Sequence, residues 1–145
     1  MNLNYALALG FSAAISGLLT LVVINKRSSV GAPGLALTMV AMFIWSSTYA
    51  IHWSVTTPQI RNFWLDMTYF GALLAPTALL IFALQYTNRA DVLTRRNIAI
   101  LSVEPLFILV LLWTDPLFNL FYAGLRTVDS IHQGGPGFWF NLIYS

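Results

Sequence analysis

The stretch from Ile60 to Tyr86, IRNFWLDMTYFGALLAPTALLIFALQY, limits what this chain can fold into more than any other. It is an apolar helix candidate that carries one acid, Asp66, and one proline, Pro76. A helix crosses the roughly 30 Å hydrocarbon layer of a bilayer with about 20 apolar residues, each rising about 1.5 Å. This stretch is long enough to do so, and water-soluble domains seldom need one like it. Similar runs lie on both sides of it, so the membrane decides this fold.

Composition points the same way. Of 145 residues, 58% are hydrophobic and only 8% charged, whereas soluble domains carry about 25% charged residues. Seven Lys and Arg against five Asp and Glu leave a formal net charge of +2. That charge is too small and too scattered to mark a nucleic-acid partner, and its value is topological. The absence of cysteine excludes a disulfide framework and thiolate metal or redox chemistry.

Four spans are expected. The first is Leu3 to Ile24, followed by Asn25-Lys26-Arg27-Ser28-Ser29. A secretory signal peptide would place positive charge before such a run, but here Lys26 and Arg27 come after it, so a retained span is expected. Gly10 to Ala14 and Ala13 to Gly17 give small-xxx-small spacings that let a neighbouring helix approach closely. A turn at Gly31-Ala32-Pro33-Gly34 leads into span two, Leu35 to Val55, which turns polar near its end with Ser46, Ser47, Thr48 and His52. The short connection Thr56-Thr57-Pro58-Gln59 makes spans two and three antiparallel neighbours. Span four, Asn97 to Trp113, is expected to break near Glu104-Pro105 and to end at Thr114-Asp115-Pro116. A mixed region with Arg126, Asp129 and His132 follows, then a turn at Gly134-Gly135-Pro136-Gly137. Phe138 to Tyr144 reads as the start of a fifth span, so the chain is expected to be part of a longer one. The fold class is therefore all-α, a polytopic transmembrane bundle of four spans plus the start of a fifth, forming a single domain over residues 1–145.

Charge sets the orientation. The connections after spans one and three hold Lys26, Arg27, Arg89, Arg95 and Arg96, while those after spans two and four hold Arg61 and Arg126. The richer side belongs in the cytoplasm, which places the N-terminus outside a multi-pass plasma-membrane protein. Trp53, Trp64, Trp113 and Trp139 fall at the opposite ends of their spans, as an outer aromatic belt requires.

Ionisable residues inside spans are the candidate sites, because a charge at mid-membrane costs at least about 2.5 to 3.5 kcal/mol. Glu104 lies near the centre of span four beside Pro105. It reads either as a proton-responsive or ligand-binding carboxyl facing a cavity, or as a structural carboxyl bonded to a neighbouring helix. His52 and Asp66 lie at similar depth beside the short connection and can pair, with Arg61 as a rival partner for Asp66. The pair reads either as a sensor of outside pH or as a structural ion pair. Pro76 and Pro105 lie at similar depth, where two kinks could open a cavity. No metal-binding histidine spacing, phosphate loop or Gly-x-Ser-x-Gly elbow occurs, so no catalytic residue, metal or cofactor is expected.

The order of several short patterns resembles the N-terminal seven-transmembrane region of histidine kinases. They are Phe63-Trp64 with Tyr69, Gly71 and Pro76, then Phe82-Ala83-Leu84-Gln85-Tyr86-Thr87, Glu104-Pro105, Thr114-Asp115-Pro116-Leu117, Gly135-Pro136-Gly137-Phe138-Trp139 and Tyr144-Ser145. The resemblance implies a sensory input module of two-component signal transduction, N-terminus outside, that lacks a phosphoacceptor box and an ATP-binding motif and is not itself an enzyme. It also implies a homodimer as the working state. The family often carries histidine where Phe118-Asn119 and Asn141 stand here, so no metal role is carried over. The expected partners are the lipid bilayer, an unknown small ligand and, as the resemblance implies, a second copy, with no nucleic acid. The alternative is a fragment of a small transporter or channel with Glu104 lining its path.

Overall fold

The computed structural model describes residues 3–26, 28–123 and 133–144. Arg27, Arg126, Asp129, His132 and Ser145 lie outside the described residues. Four helices are each long and apolar enough to cross a membrane: α1 Leu3–Asn25, α2 Ala32–Ser54, α3 Pro58–Tyr86 and α4 Arg95–Phe118. The shortest have 23 residues, about 35 Å of helix. A 3₁₀ turn, Ala90–Val92, joins α3 to α4, and a short helix α5, Pro136–Tyr144, follows a two-residue antiparallel pairing of β1, Tyr122–Ala123, with β2, Gln133–Gly134.

A helix end leaves backbone groups without intrahelical partners, and here the chain closes several of them itself. At the end of α3 the N–H of Arg89 donates to Leu84 O at 2.8 Å and that of Asn88 to Gln85 O at 3.2 Å. With Asn88 at φ 60° this is a Schellman closure, and asparagine is the non-glycine residue that best tolerates it. The end of α4 uses the simpler form, with Asn119 at φ 50° donating to Asp115 O at 2.8 Å. Thr94 caps the start of α4 by accepting from Asn97 N–H at 3.2 Å. At the start of α2 the cap comes from another helix, where Gln85 Oε1 of α3 accepts from Gly34 N–H at 2.9 Å.

The same economy governs the hydroxyls. Ser16, Thr20, Thr38, Ser54, Ser102 and Thr114 each donate to the carbonyl four residues back, at 2.7 to 2.9 Å. Ser47 and Thr48 do so at 2.6 and 2.7 Å. The polar end of span two is thus largely satisfied within its own helix.

α2 and α3 form the tightest pair. Gly34 lies against the backbone of Phe82, where an added Cβ would sit 2.5 Å from its Cα. Gly71 lies against the Trp45 backbone, where an added Cβ would come within 2.6 Å of Ala41 O. Buried Ala41 and Ala78, both fully covered, extend this small-residue seam. α1 packs on α2 through buried Ala6, Ala13 and Ser16, with Ser12 and Ser46 hydroxyls 3.3 Å apart.

Several boundaries differ from the sequence reading. α2 begins at Ala32 because Gly31, at φ 78°, makes the turn alone and Pro33 fits the first helical turn. α3 likewise begins at Pro58. α4 runs unbroken past Glu104-Pro105 and through Thr114-Asp115-Pro116. A proline removes one donor, but in hydrocarbon the surrounding backbone has no better partner than the helix. On α1, Ala13 and Gly17 do meet α2, whereas Gly10 and Ala14 are exposed and a Cβ at Gly10 would meet nothing within 4 Å.

The glycine contrast is measurable by unfolding in detergent. Gly71→Ala is expected to lose about 1 to 3 kcal/mol of stability by overpacking, while Gly10→Ala is neutral or stabilising by up to about 1 kcal/mol through helix propensity.

Candidate functional site

One cluster joins α1, α2 and α3 near the ends of α2 and α3. His52 is buried, and its Nδ1 lies 2.9 Å from Arg61 O. A carbonyl only accepts, so Nδ1 carries the proton of this bond. Trp53 sits at the centre of the cluster. The Tyr5 ring lies 5.5 Å from it, the His52 ring meets it edge-on at 5.2 Å, and the Arg61 guanidinium lies over it at 5.1 Å. The sequence reading paired His52 with Asp66. Nδ1 of His52 bonds the main chain at Arg61, and Asp66, half-buried, has an interaction of its own.

Glu104 lies elsewhere, on a buried stripe of α4 formed by Glu104, Ile108, Leu112 and Asp115. That spacing of four, four and three keeps the side chains on one helix face. Glu104 is 8% exposed, and its Oε1 is buried without a hydrogen-bond partner among the described residues. Buried polar atoms are nearly always bonded, and leaving one unmade costs about 1 to 3 kcal/mol. Among the buried side-chain polar atoms described, this one calls for a donor.

Pro76 lines a cavity of about 390 Å³ between α2, α3 and α5, along with Thr38, Trp45 and Asn141. Pro105 is absent from its lining. Neither proline breaks its helix.

A second polar device escaped the sequence reading. Asp115 is 3% exposed, and its Oδ1 accepts from the N–H groups of Phe121 at 2.7 Å and Tyr122 at 3.0 Å. The chain beyond α4 is thereby folded back, so that Phe121 is fully buried and meets Tyr69 edge-on at 5.0 Å. Tyr122 Oη donates to Tyr69 Oη at 3.2 Å. Gly137 N–H donates to Leu120 O at 2.9 Å, and Phe138 packs on the same cluster. Leu73, Ile108 and Leu112 complete it, so α3, α4 and α5 are clasped at one end. The signal was present as Thr114-Asp115-Pro116-Leu117, one of the family-like patterns, but its partners lie six and seven residues on, in a stretch without periodicity.

Among the described residues no three His, Asp or Glu side chains gather as metal ligands would. In comparison with known proteins, a model of the family described as the N-terminal 7TM region of histidine kinase matches residues 8–145. No curated protein and no solved structure matches the chain.

The clasp makes its own prediction. Asp115→Ala strands two buried N–H donors and is expected to cost about 2 to 4 kcal/mol, with faster amide exchange at Phe121 and Tyr122. Asp115→Asn keeps an acceptor oxygen and is expected to lose less than half as much. Hydrogen exchange and thermal unfolding in detergent read both.

Proposed function

Because the chain belongs to the family of N-terminal 7TM regions of histidine kinases, we propose that it is the membrane input region of a two-component sensor, coupling a stimulus to a kinase output through helix movement. The family match across residues 8–145 of an all-helical, membrane-spanning chain carries this reading. The chain itself is read as non-catalytic. Its place is the plasma membrane with the N-terminus outside, supported by Lys26, Arg27, Arg89, Arg95 and Arg96 on one side and by the tryptophans on the other.

The geometry suggests how movement arises. α3 and α4 are clasped at the end that holds Tyr69, Asp115 and Tyr122, and a cleft opens between them toward the other end. A shift at the clasp therefore becomes a swing of α4 relative to α3, one of the small helix displacements that switching proteins use. Glu104, on the face of α4 that such a swing would move, is the leading sensing group, through its need for a donor. His52 and Asp66 are the candidates nearer the outer surface, and a small ligand or protons are the stimuli this reading admits. A second copy of the chain is the expected partner within the membrane.

The Glu104 oxygen, without a partner among the described residues, also supports a second reading, a transporter or channel piece with Glu104 on its path. The two readings separate in the full-length protein. Reading the gene past Ser145 is expected to reveal further spans and then a phosphoacceptor histidine and ATP-binding domain. Glu104→Gln in that protein, reconstituted in vesicles, is expected to change autophosphorylation at least threefold while proton flux stays at the level of empty vesicles. A stop codon directly after Ser145, or flux lost in Glu104→Gln, contradicts the sensor reading.

A further inference from the structure

We propose that the cleft between α3 and α4 seats an acyl chain of an anionic phospholipid whose phosphate is held by the arginines at its mouth. The cleft encloses about 360 Å³, within the roughly 300 to 1,000 Å³ of sites that take small ligands. Leu80 and Leu84 of α3, Val92 of the connecting turn, and Ile100 and Leu101 of α4 form its walls. Asn97 is its one polar lining residue, and its Nδ2 donates to Val92 O at 2.7 Å, which ties the turn to α4. The rest of the lining is hydrocarbon wall. Leu80, Val92 and Ile100 are 43%, 41% and 59% exposed.

Any lipid-facing surface is apolar, and charge distinguishes this one. Arg89 directly precedes the turn, and Arg95 and Arg96 open α4. All three are exposed, and among the described residues none has a side-chain hydrogen bond or ion pair. Arg96 and Ile100 are four residues apart on α4, so they share a face, with the guanidinium about one turn nearer the membrane surface than the wall below it. The acid in this connection is Asp91, also exposed, which leaves three positive charges against one negative. Lys26, at the end of α1, lies on the same side of the membrane.

A guanidinium fork matches a phosphodiester in geometry and charge. Basic clusters between transmembrane helices at the membrane surface suit anionic headgroups. A zwitterionic lipid brings its own cation into the same cluster, so the cluster prefers a net negative headgroup. Once seated, the lipid bridges α3 and α4 at the end where the protein leaves them apart. The proposal rests on this geometry and is independent of the sensor reading.

The test uses the full chain in vesicles of mixed phosphatidylglycerol and phosphatidylcholine, with retained lipid counted by native mass spectrometry after mild extraction. The wild type is expected to retain phosphatidylglycerol in preference to phosphatidylcholine. Arg95→Gln with Arg96→Gln is expected to lower that preference by about fivefold per arginine. Ile100→Trp, which fills the cleft, is expected to abolish retention, while Ile98→Trp, outside the lining, leaves it unchanged. Val92→Trp repeats the filling from the turn in case Ile100→Trp disturbs folding, which circular dichroism reports. Equal retention of both lipids, a preference that survives the double Gln variant, or retention unaffected by filling would each overturn the proposal.

Discussion

The rest of this structure depends on the absence of water around the backbone. In hydrocarbon an unmade hydrogen bond has no solvent to fall back on, so polar groups within the spans are closed locally or by an adjacent helix wherever one is in reach. That requirement governs the spans, while at their ends Asn88 and Asn119 take the left-handed turn that asparagine tolerates best among non-glycine residues. It accounts as well for the serine and threonine hydroxyls that return to the preceding turn and for helices that run through Pro76, Pro105 and Pro116 without interruption. Against that background, Glu104 is conspicuous for an oxygen left without a donor among the described residues.

Helix association follows from the same setting. Without a hydrophobic drive between apolar helices in lipid, close packing and interhelical polar contacts must hold them. α2 and α3 use both, with Gly34 and Gly71 bringing backbones together and Gln85 capping the start of α2. α3, α4 and α5 use the second, through Asp115, Tyr69 and Tyr122. Several residues that carry the family resemblance, Tyr69, Gly71, Phe82, Gln85, Asp115, Gly137 and Phe138, turn out to be those that fasten one element to another. The family pattern is thus largely a pattern of assembly, and Glu104 stands out from it.

The four spans were legible in the sequence because hydropathy and length suffice to mark a crossing helix, and the helix starts and ends fell within a few residues except at α4. There the rule that proline ends a helix failed, since it is weighed for water, where a broken helix can be solvated. The small-residue pattern on α1 was legible but only half used. Its Gly10 side meets nothing, while the tighter seam lies on α2 and α3, where Gly34 and Gly71 are 37 positions apart in the chain and pair with other residues. The Asp115 clasp was hidden for a different reason. A carboxyl accepting backbone donors leaves no periodic trace, and its aromatic partner Tyr69 is distant in sequence. His52 stands out in the sequence as an ionisable residue within a span, but a backbone carbonyl as its partner is invisible to a reading of side chains.

Orientation ties the local chemistry to function, because it decides which residues face a stimulus and which face an output. The chain has no cysteine, so single-cysteine variants report sidedness cleanly. Thr56→Cys, in the α2–α3 connection, and Ser28→Cys, in the α1–α2 connection, both replace exposed residues. In intact cells a membrane-impermeant maleimide is predicted to label Thr56→Cys at once and Ser28→Cys only after the membrane is opened. Labelling of Ser28→Cys in intact cells with Thr56→Cys protected would reverse the orientation and contradict the account of this chain as an outward-facing sensory region.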